Sequence, residues 1–332
     1  MKKIYWLFVL IVCISCTKKD DDIDMSFYYW KTNFKMDASE RDFLAQNQIN
    51  KMYVRYFDVG LKGGIPVPIS AITFDSIPKN LQVIPVVYIK NEVVLIPNLD
   101  VKELAANIVK YINQINEKNQ ISMNEIQLDC DWSLNSKEQF FALVDEIKKQ
   151  TNLKLSATIR LHQVKYFEKT GVPNVDEGVL MYYNMGKIAA DSLNSIYDRE
   201  VAKNYIKSLR DYPLKLNIAL PVYSWLVHTR DRKPINLISR IRIEQLDTIP
   251  NFKKIDKNRY LVQESNSYFG SYFKKGDIVK IESTTAKQVE EMITDLSENM
   301  KENPNEIIFY DFDKTNTNYY ENEFFKKIVN RY

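Results

Sequence analysis

Residues 126–133 read IQLDCDWS, an apolar run that ends in two aspartates one residue apart. Because side chains alternate along a strand, Asp129 and Asp131 share one face while Leu128 and Cys130 share the other. If the apolar face packs against helices, both carboxylates point away from the helices, into the space that the sheet encloses. Two acids this close repel each other, so we expect one carboxyl pKa to rise, with Arg160 on the next strand as the compensating cation.

Strand-like runs alternate with amphipathic helical runs along the chain, which is typical of an α/β fold with a parallel sheet and helices outside it. Eight runs suggest a closed (β/α)8 barrel. The connection at 61–78 lacks a clear helix. The predicted strands are 26–34, 51–60, 81–90, 124–132, 154–161, 177–185, 215–225 and 306–312.

Five segments between these strands show helical periodicity, with Asp37 or Ser39 predicted to cap the first helix and Ser136 the third. The long gap before the last strand contains NRYLVQES and DIVKIES, which read as short strands. We therefore expect one barrel domain at 26–332 with a small α+β insertion near 233–283, above the barrel mouth. The predicted helices are 37–48, 101–118, 136–150, 198–212 and 285–302.

Composition excludes several classes of site. The net charge is +3 with acids and bases interspersed, so nucleic acid is not an expected partner. The chain has 8 glycines but 21 tyrosines and 16 phenylalanines, which argues against glycine-rich phosphate loops and for an aromatic cleft suited to sugars. His162 and His228 are the only histidines and no cysteines cluster, so we expect no metal and no cofactor.

The amino terminus, MKKIYWLFVLIVCISC, has a basic pair, a short apolar run and small residues before Cys16. It resembles a bacterial lipoprotein signal peptide at 1–16, which implies lipidation of Cys16. The acidic tether at 17–25 resembles the export signal of Bacteroidetes-type surface lipoproteins, so we expect an outer-membrane protein that faces the exterior. An ordinary cleaved signal or an uncleaved anchor is the alternative. Cys130 then remains as a buried, unpaired apolar residue.

In a barrel of this class the active site forms at the carboxyl ends of the strands. The residues there are polar or aromatic, and they provide the candidate binding groups, with Asp129, Asp131, Asp311 and Asp313 as catalytic candidates. The alternative is a purely structural role, in which an Asp–Arg network only fills the polar top of the barrel. The candidates are Asp58, Tyr88, Asp129, Asp131, Arg160, His162, Tyr182, Tyr183, Asn184, Tyr223, Trp225, Asp311 and Asp313.

Four segments together resemble family 18 glycoside hydrolases, the chitinases and endo-N-acetylglucosaminidases, which are TIM barrels. LDCDWS is similar to the family's fourth-strand motif, MYYN at 181–184 to its sixth, LNIALPVYSW at 216–225 to its seventh and IIFYDFDK at 307–314 to its eighth. IQLDCDW and LSATIRL also resemble uncharacterised barrel lipoproteins with QIDFDA and LSITAL strands. The resemblance spans most of the mature chain.

The resemblance implies roles for individual residues. Asp131 would contact an acetamido or hydroxyl group and Asp129 would tune Asp131. Tyr183 and Asn184 would hydrogen-bond the sugar. Further along the cleft, Tyr223 would line its far side and Trp225 would stack on a sugar ring, although aromatic residues at strand ends also simply close cores.

Ser133 stands where the family has the glutamate that protonates the leaving oxygen. A serine hydroxyl cannot act as a general acid near neutral pH, and general acid catalysis contributes about 10²- to 10⁴-fold. We therefore expect a cell-surface barrel that binds a GlcNAc-type glycan without chitinase activity. Two alternatives stay open: an active hydrolase whose acid is Asp58, Asp311 or Asp313, and a scaffold subunit that binds partner proteins of the outer membrane.

Overall fold

The computed structural model of the chain describes residues 23–321 and 323–332. The predicted signal peptide at 1–16, with its cysteine Cys16, lies outside the described residues, as does most of the predicted tether. Within the described part of the chain, no helix has the length and apolar character needed to cross a membrane.

Eight parallel strands form a closed barrel. The ring closes because the first strand pairs with both the eighth and the second, with Phe27 opposite Phe309 on one side and Met52 on the other. The predicted (β/α)8 barrel is confirmed. The strands are β1 Asp24–Tyr29, β2 Lys51–Lys62, β3 Gln82–Ile89, β4 Glu125–Cys130, β5 Lys154–Arg160, β6 Glu177–Met181, β7 Leu216–Pro221 and β8 Glu306–Tyr310.

Helices connect most of these strands on the outside of the barrel. The first begins after Asp37, whose carboxylate accepts the Glu40 N–H in a capping box, one of the two predicted caps. Between β2 and β3 the structure has no helix, as predicted, and Ile65–Ile69 instead folds back antiparallel on the end of β2. The helices are Ala38–Gln46, Val101–Asn119, Lys137–Gln150, Leu161–Lys165, Phe167–Thr170, Arg199–Ile206, Ile243–Asp247, Ala286–Asn299, Lys314–Thr317 and Phe324–Val329.

The two faces of β4 follow the predicted alternation. Leu128 and Cys130 are fully buried among the helices outside the barrel. Gln127 points inward, where its amide oxygen accepts a hydrogen bond from the Tyr28 hydroxyl at 2.7 Å. Cys130 is a free buried thiol, as expected. The inward parity therefore places Asp129 in the barrel interior.

The base of the barrel is closed by paired charges at the strand starts. Lys51 Nζ lies 2.6 Å from the Glu306 carboxylate, and Tyr53 donates to the same carboxylate at 2.9 Å. Lys154 Nζ pairs with Glu177 at 2.8 Å. Paired and hydrogen-bonded charges therefore fill this end, opposite the end where the strands terminate and where sites form in barrels of this class.

A small α+β insertion lies between β7 and β8, built on a five-stranded antiparallel sheet. The prediction of a single strand at 215–225 was wrong, because β7 ends at Pro221 and Ser224 begins the inserted sheet. Trp225 therefore belongs to the insertion and pairs with Glu282. The sheet contains Ser224–Arg230, Lys233–Ser239, Phe252–Lys254, Arg259–Val262 and Ile278–Ser283, and a hairpin of Asn266–Tyr268 and Ser271–Phe273 adjoins it.

Candidate functional site

A cavity of about 390 Å³ opens at the carboxyl ends of the barrel strands. It brings together predicted residues from strands that are far apart in sequence. Its walls also include residues that the sequence did not single out, among them Trp30, Arg55, Arg240 and Tyr310. The lining residues are Trp30, Arg55, Asp58, Tyr88, Asp129, Arg160, Met181, Tyr183, Asn184, Tyr223, Ser224, Trp225, Ser239, Arg240, Tyr310 and Asp311.

Asp129 lies buried at the floor of this cavity. One carboxylate oxygen accepts the Thr158 hydroxyl at 2.5 Å and lies 3.3 Å from Arg160 Nη2. Burial raises the pKa of Asp129, the Arg160 guanidinium opposes that effect, and Asp131 adds to it. Asp129 is therefore held by one cation in a poorly solvated position.

Asp131 lies one residue past the end of β4, and its side chain is 48% exposed. It hydrogen-bonds Arg160 Nε, so one guanidinium bridges the two aspartates. Asp131 lines a neighbouring hollow of about 280 Å³ together with His162, Tyr205 and Asn184. The cavity and this hollow share Arg160, Tyr183 and Asn184, and we call the two together the cleft.

Ser133 does not line either part of the cleft. Its backbone N–H donates to Ser136 Oγ at 2.9 Å, and its hydroxyl lies 3.1 Å from the same atom. Ser136 in turn donates to Asn91 Oδ1 at 2.5 Å. Ser136 does precede the helix Lys137–Gln150, but its side chain makes no capping bond, because these partners use it.

A second pair of aspartates lies on the opposite side of the barrel, just past β8. Arg240, from the insertion, hydrogen-bonds Asp311 at 3.1 Å, and its Nε lies 3.0 Å from Asp313 Oδ2. Burial raises the pKa of Asp311. Burial acts the same way on Asp313, but the ion pair with Lys31 at 2.8 Å outweighs it, so the pKa of Asp313 is lowered. Asp313 does not line the cavity.

Asp58 reaches the cavity through an irregularity in β2. A register shift between Arg55 and Phe57 lets Arg55 and Asp58, three residues apart, contact each other on one side of the strand. Arg55 binds the carboxylate through two bonds of 2.6 and 2.5 Å. Asp58 is thus occupied by an ion pair as well.

Aromatic rings form one wall of the cavity. Tyr183 stacks on Tyr310 at 5.4 Å, and Tyr223 packs edge-on against Tyr310 and Trp225. The Tyr223 hydroxyl donates to Asn184 Oδ1 at 2.6 Å. The peptide bond between Tyr310 and Asp311 is cis. Tyr183, Tyr223, Trp225 and Asn184 were predicted together, and the structure brings them together.

Trp225 is held by the inserted sheet. Its indole N–H donates to Glu282 at 2.7 Å, and the same carboxylate oxygen accepts the Ser195 hydroxyl. Lys280, almost fully buried, lies 2.7 Å from the other oxygen and donates to the Leu193 carbonyl. Glu282 therefore links the aromatic wall of the cavity to the loop that follows β6.

Two predicted strand-end residues lie away from the cleft. Tyr182 is buried with the core outside the barrel, where it packs near Tyr197. Trp132 also faces outward, with the parity of Leu128 and Cys130, and stacks on Phe140 at 5.0 Å. His162 lies exposed in the hollow beside Asp131. Among residues 23–321 and 323–332, no three or more His, Cys, Asp or Glu side chains group in a way that could hold a metal ion.

Several cavity residues were not predicted from the sequence, and three of these omissions have a structural cause. Trp30 lies one residue past β1 and has the same parity as Tyr28. An accurate prediction of where β1 ends would therefore have placed Trp30 among the candidate residues. Arg55 depends on the register shift in β2. Arg240 comes from the insertion and carries no sequence signal that relates it to β8.

No family model matches the chain, and no curated protein matches it. Solved structures do match its fold. A chitinase from Bacteroides thetaiotaomicron superposes with a TM-score of 0.55 at 10% identity, over 93% of this chain and 96% of that one. A family GH18 chitinase from Cycas revoluta, in complex with (GlcNAc)3, gives 0.52 at 10% identity over 92% and 98%.

The spore cortex-lytic enzyme SleL from Bacillus cereus gives a TM-score of 0.52 at 14% identity, over 93% of this chain and 74% of that one. Superpositions at this level establish a shared fold. The chain therefore has the barrel fold of these chitinases and of SleL, which is the fold that the sequence motifs predicted.

Proposed function

We propose that the protein binds a GlcNAc-type glycan in the cleft at the mouth of its barrel. The observation that carries the proposal is the convergence of Asp129, Tyr183, Asn184, Tyr223 and Trp225 on one cavity. Buried carboxylate and amide groups provide hydrogen bonds that orient a ligand, and aromatic rings provide apolar area for the faces of sugar rings. The hollow beside the cavity provides room for a second sugar.

The fold comparison supports this ligand class. The Cycas revoluta chitinase, which shares the barrel fold, was solved in complex with (GlcNAc)3. The same barrel fold hosts many unrelated activities, so the support for a glycan comes from the residues in the cleft.

We propose further that the cleft does not cleave its glycan as a chitinase does. Ser133, in place of the expected acid, bonds with Ser136 and does not face the cleft. Asp131 is bound by Arg160, and Asp58 by Arg55. A guanidinium group therefore already occupies each of these two carboxyl groups.

Asp311 supports the alternative of an active hydrolase. It lines the cavity, and burial raises its pKa, which is the property of a general acid. It also accepts bonds from Arg240 and from Asn316, at 3.1 and 2.6 Å, and both stabilise its charged form. Turnover by this route would need Arg240 to move away.

We expect chitotetraose to bind, and Trp225→Ala or Asp131→Ala to weaken binding about tenfold or more, which is ~1.4 kcal/mol. Trp225 contributes ring area in the cavity and Asp131 a carboxylate in the hollow, so the two variants test the two parts of the cleft. Isothermal titration calorimetry gives the affinities. Tyr166→Ala, an exposed ring outside the cleft, is the matched control and should bind as the wild type does.

Binding that neither cleft variant weakens would contradict the proposal, and so would a glycan array with no bound structure. The same samples should release no reducing ends over prolonged incubation. If the wild-type protein releases reducing ends and Asp311→Asn abolishes the release, the protein is instead an active hydrolase.

We also propose that the protein is a lipoprotein on the exterior face of the outer membrane, anchored through Cys16. The support is the amino-terminal sequence, with its basic pair, short apolar run and acidic tether. Cys16→Ser should move the protein from the membrane fraction to the soluble fraction and abolish incorporation of labelled palmitate. External protease should digest the wild-type protein on intact cells. Unchanged membrane retention of the Cys16→Ser variant would refute the anchor.

A further inference from the structure

Three arginine–aspartate pairs line the cavity, each from a different part of the chain. Arg55 binds Asp58 within β2, Arg160 reaches from β5 to Asp129 on β4, and Arg240 reaches from the insertion to Asp311 past β8. All six residues line the cavity. They therefore surround the space that the proposed glycan would fill.

In each pair the arginine side chain is more exposed than the aspartate side chain. The exposed side-chain fractions are 15% for Arg55 and 8% for Asp58. They are 21% for Arg160 and 5% for Asp129, and 33% for Arg240 and 7% for Asp311. The arginine side chains are therefore the more accessible partners for a ligand in the cavity.

Each guanidinium also keeps a donor for a ligand. The contacts with aspartate use Nε and Nη2 of Arg55, Arg160 and Arg240. Among the described residues, none accepts a hydrogen bond from Nη1 of these three side chains. Planar guanidinium groups with free N–H groups match the oxygens of a carboxylate or sulfate.

The hollow beside the cavity differs because a carboxylate is its most accessible charge. The side chain of Asp131 is 48% exposed, against 21% for the shared Arg160, and its carboxylate repels an anion and accepts hydrogen bonds from hydroxyl or amide N–H groups. An anionic sugar fits the cavity, and a neutral amino sugar fits the hollow. The two parts differ in the charge that they present, although they are contiguous.

We infer that the glycan bound by this protein is anionic, with a carboxylate- or sulfate-bearing sugar in the arginine-lined cavity next to an N-acetylhexosamine in the hollow. The inference rests on the proposed function and specifies its ligand class. A neutral GlcNAc chain offers only uncharged hydroxyl and amide oxygens to these N–H groups, and hydrogen bonds to a charged acceptor are stronger.

The test compares three tetrasaccharides by calorimetry: hyaluronan, which alternates glucuronic acid and GlcNAc, chondroitin sulfate and neutral chitotetraose. We expect hyaluronan to bind at least about tenfold more tightly than chitotetraose at about 20 mM salt. The preference should shrink at about 500 mM salt, where exposed charges are screened. Chondroitin sulfate carries a glucuronate carboxylate and a sulfate on a different hexosamine, so tighter binding of either anionic tetrasaccharide than of chitotetraose supports the inference.

Arg240→Gln and Arg55→Gln should each lower the ratio of hyaluronan affinity to chitotetraose affinity. Arg240 is the most exposed of the three arginines, so its variant still carries the test if the Arg55 variant does not fold. Lys79→Gln removes one exposed positive charge near the start of β3, at the opposite end of the barrel, and should leave the ratio unchanged.

Chitotetraose binding as tight as that of both anionic tetrasaccharides would overturn the inference and leave the proposed function standing. A preference that neither arginine variant changes would also overturn it. Failure of all three tetrasaccharides to bind would overturn both.

Discussion

Replacement of Arg160 by methionine should lower the free energy of unfolding by about 3–5 kcal/mol, because it leaves Asp129 buried without a compensating cation. Asp129 is nearly inaccessible to solvent, and its other polar partner is the neutral Thr158 hydroxyl. The methionine fills a similar volume, so the expected loss is mainly electrostatic. Urea unfolding, followed by circular dichroism, measures it.

The loss at Arg160 should depend on pH in a defined direction. Burial raises the pKa of Asp129 and Arg160 opposes that rise, so without Arg160 the pKa rises further. The folded variant then holds a proton that the unfolded chain releases near pH 4, and its stability falls as pH increases. The difference from wild type should therefore be larger at about pH 8 than at about pH 5.

A double-mutant cycle separates the charge effect from lost packing. Asp129→Asn in the Arg160→Met background should recover most of the lost stability, because no charge is then buried alone. Arg232→Met, at an exposed turn of the insertion, is the matched control and should change stability by less than about 0.5 kcal/mol. An Arg160→Met protein as stable as wild type would show that Asp129 is neutral or hydrated in the folded state.

Replacement of Glu282 by leucine should destabilise the protein by about 3 kcal/mol and release the Trp225 ring. Lys280 is almost fully buried and would lose its 2.7 Å carboxylate partner, keeping the Leu193 carbonyl and the more distant Asp191 carboxylate at 3.4 Å. Trp225 and Ser195 would lose their shared acceptor. The indole emission should shift to the red, and glycan binding should weaken with it.

The double variant Lys280→Met with Glu282→Leu distinguishes positioning from stability. A buried ion pair can be replaced by apolar side chains at little cost, so most of the stability should return. The Trp225 hydrogen bond would still be missing, so the emission shift and the weaker binding should persist. Trp225→Phe identifies the contribution of this ring to the spectrum. Recovery of full affinity in the double variant would show that Glu282 does not position the ring.

The architecture of the barrel was predictable because it depends on local patterns. Alternation in IQLDCDWS placed Asp129 inward and Cys130 outward, and the structure agrees. The sequence also predicted Asp37 as one of two candidate caps and the absence of a helix between β2 and β3. Strand ends were harder to predict, because the end of a strand depends on which neighbouring strand remains to pair with it. The assignment of Trp225 to β7 failed for that reason.

By itself the sequence determined the barrel and the inward face of β4. These follow from side-chain periodicity and residue identity, which are local properties. Only the tertiary structure decided that Asp131 lies in a separate hollow, and that Arg55 and Arg240 join Arg160 around one cavity. Those outcomes depend on a register shift in β2 and on the placement of the insertion over β8, where contacts between distant segments set the charge that a ligand meets.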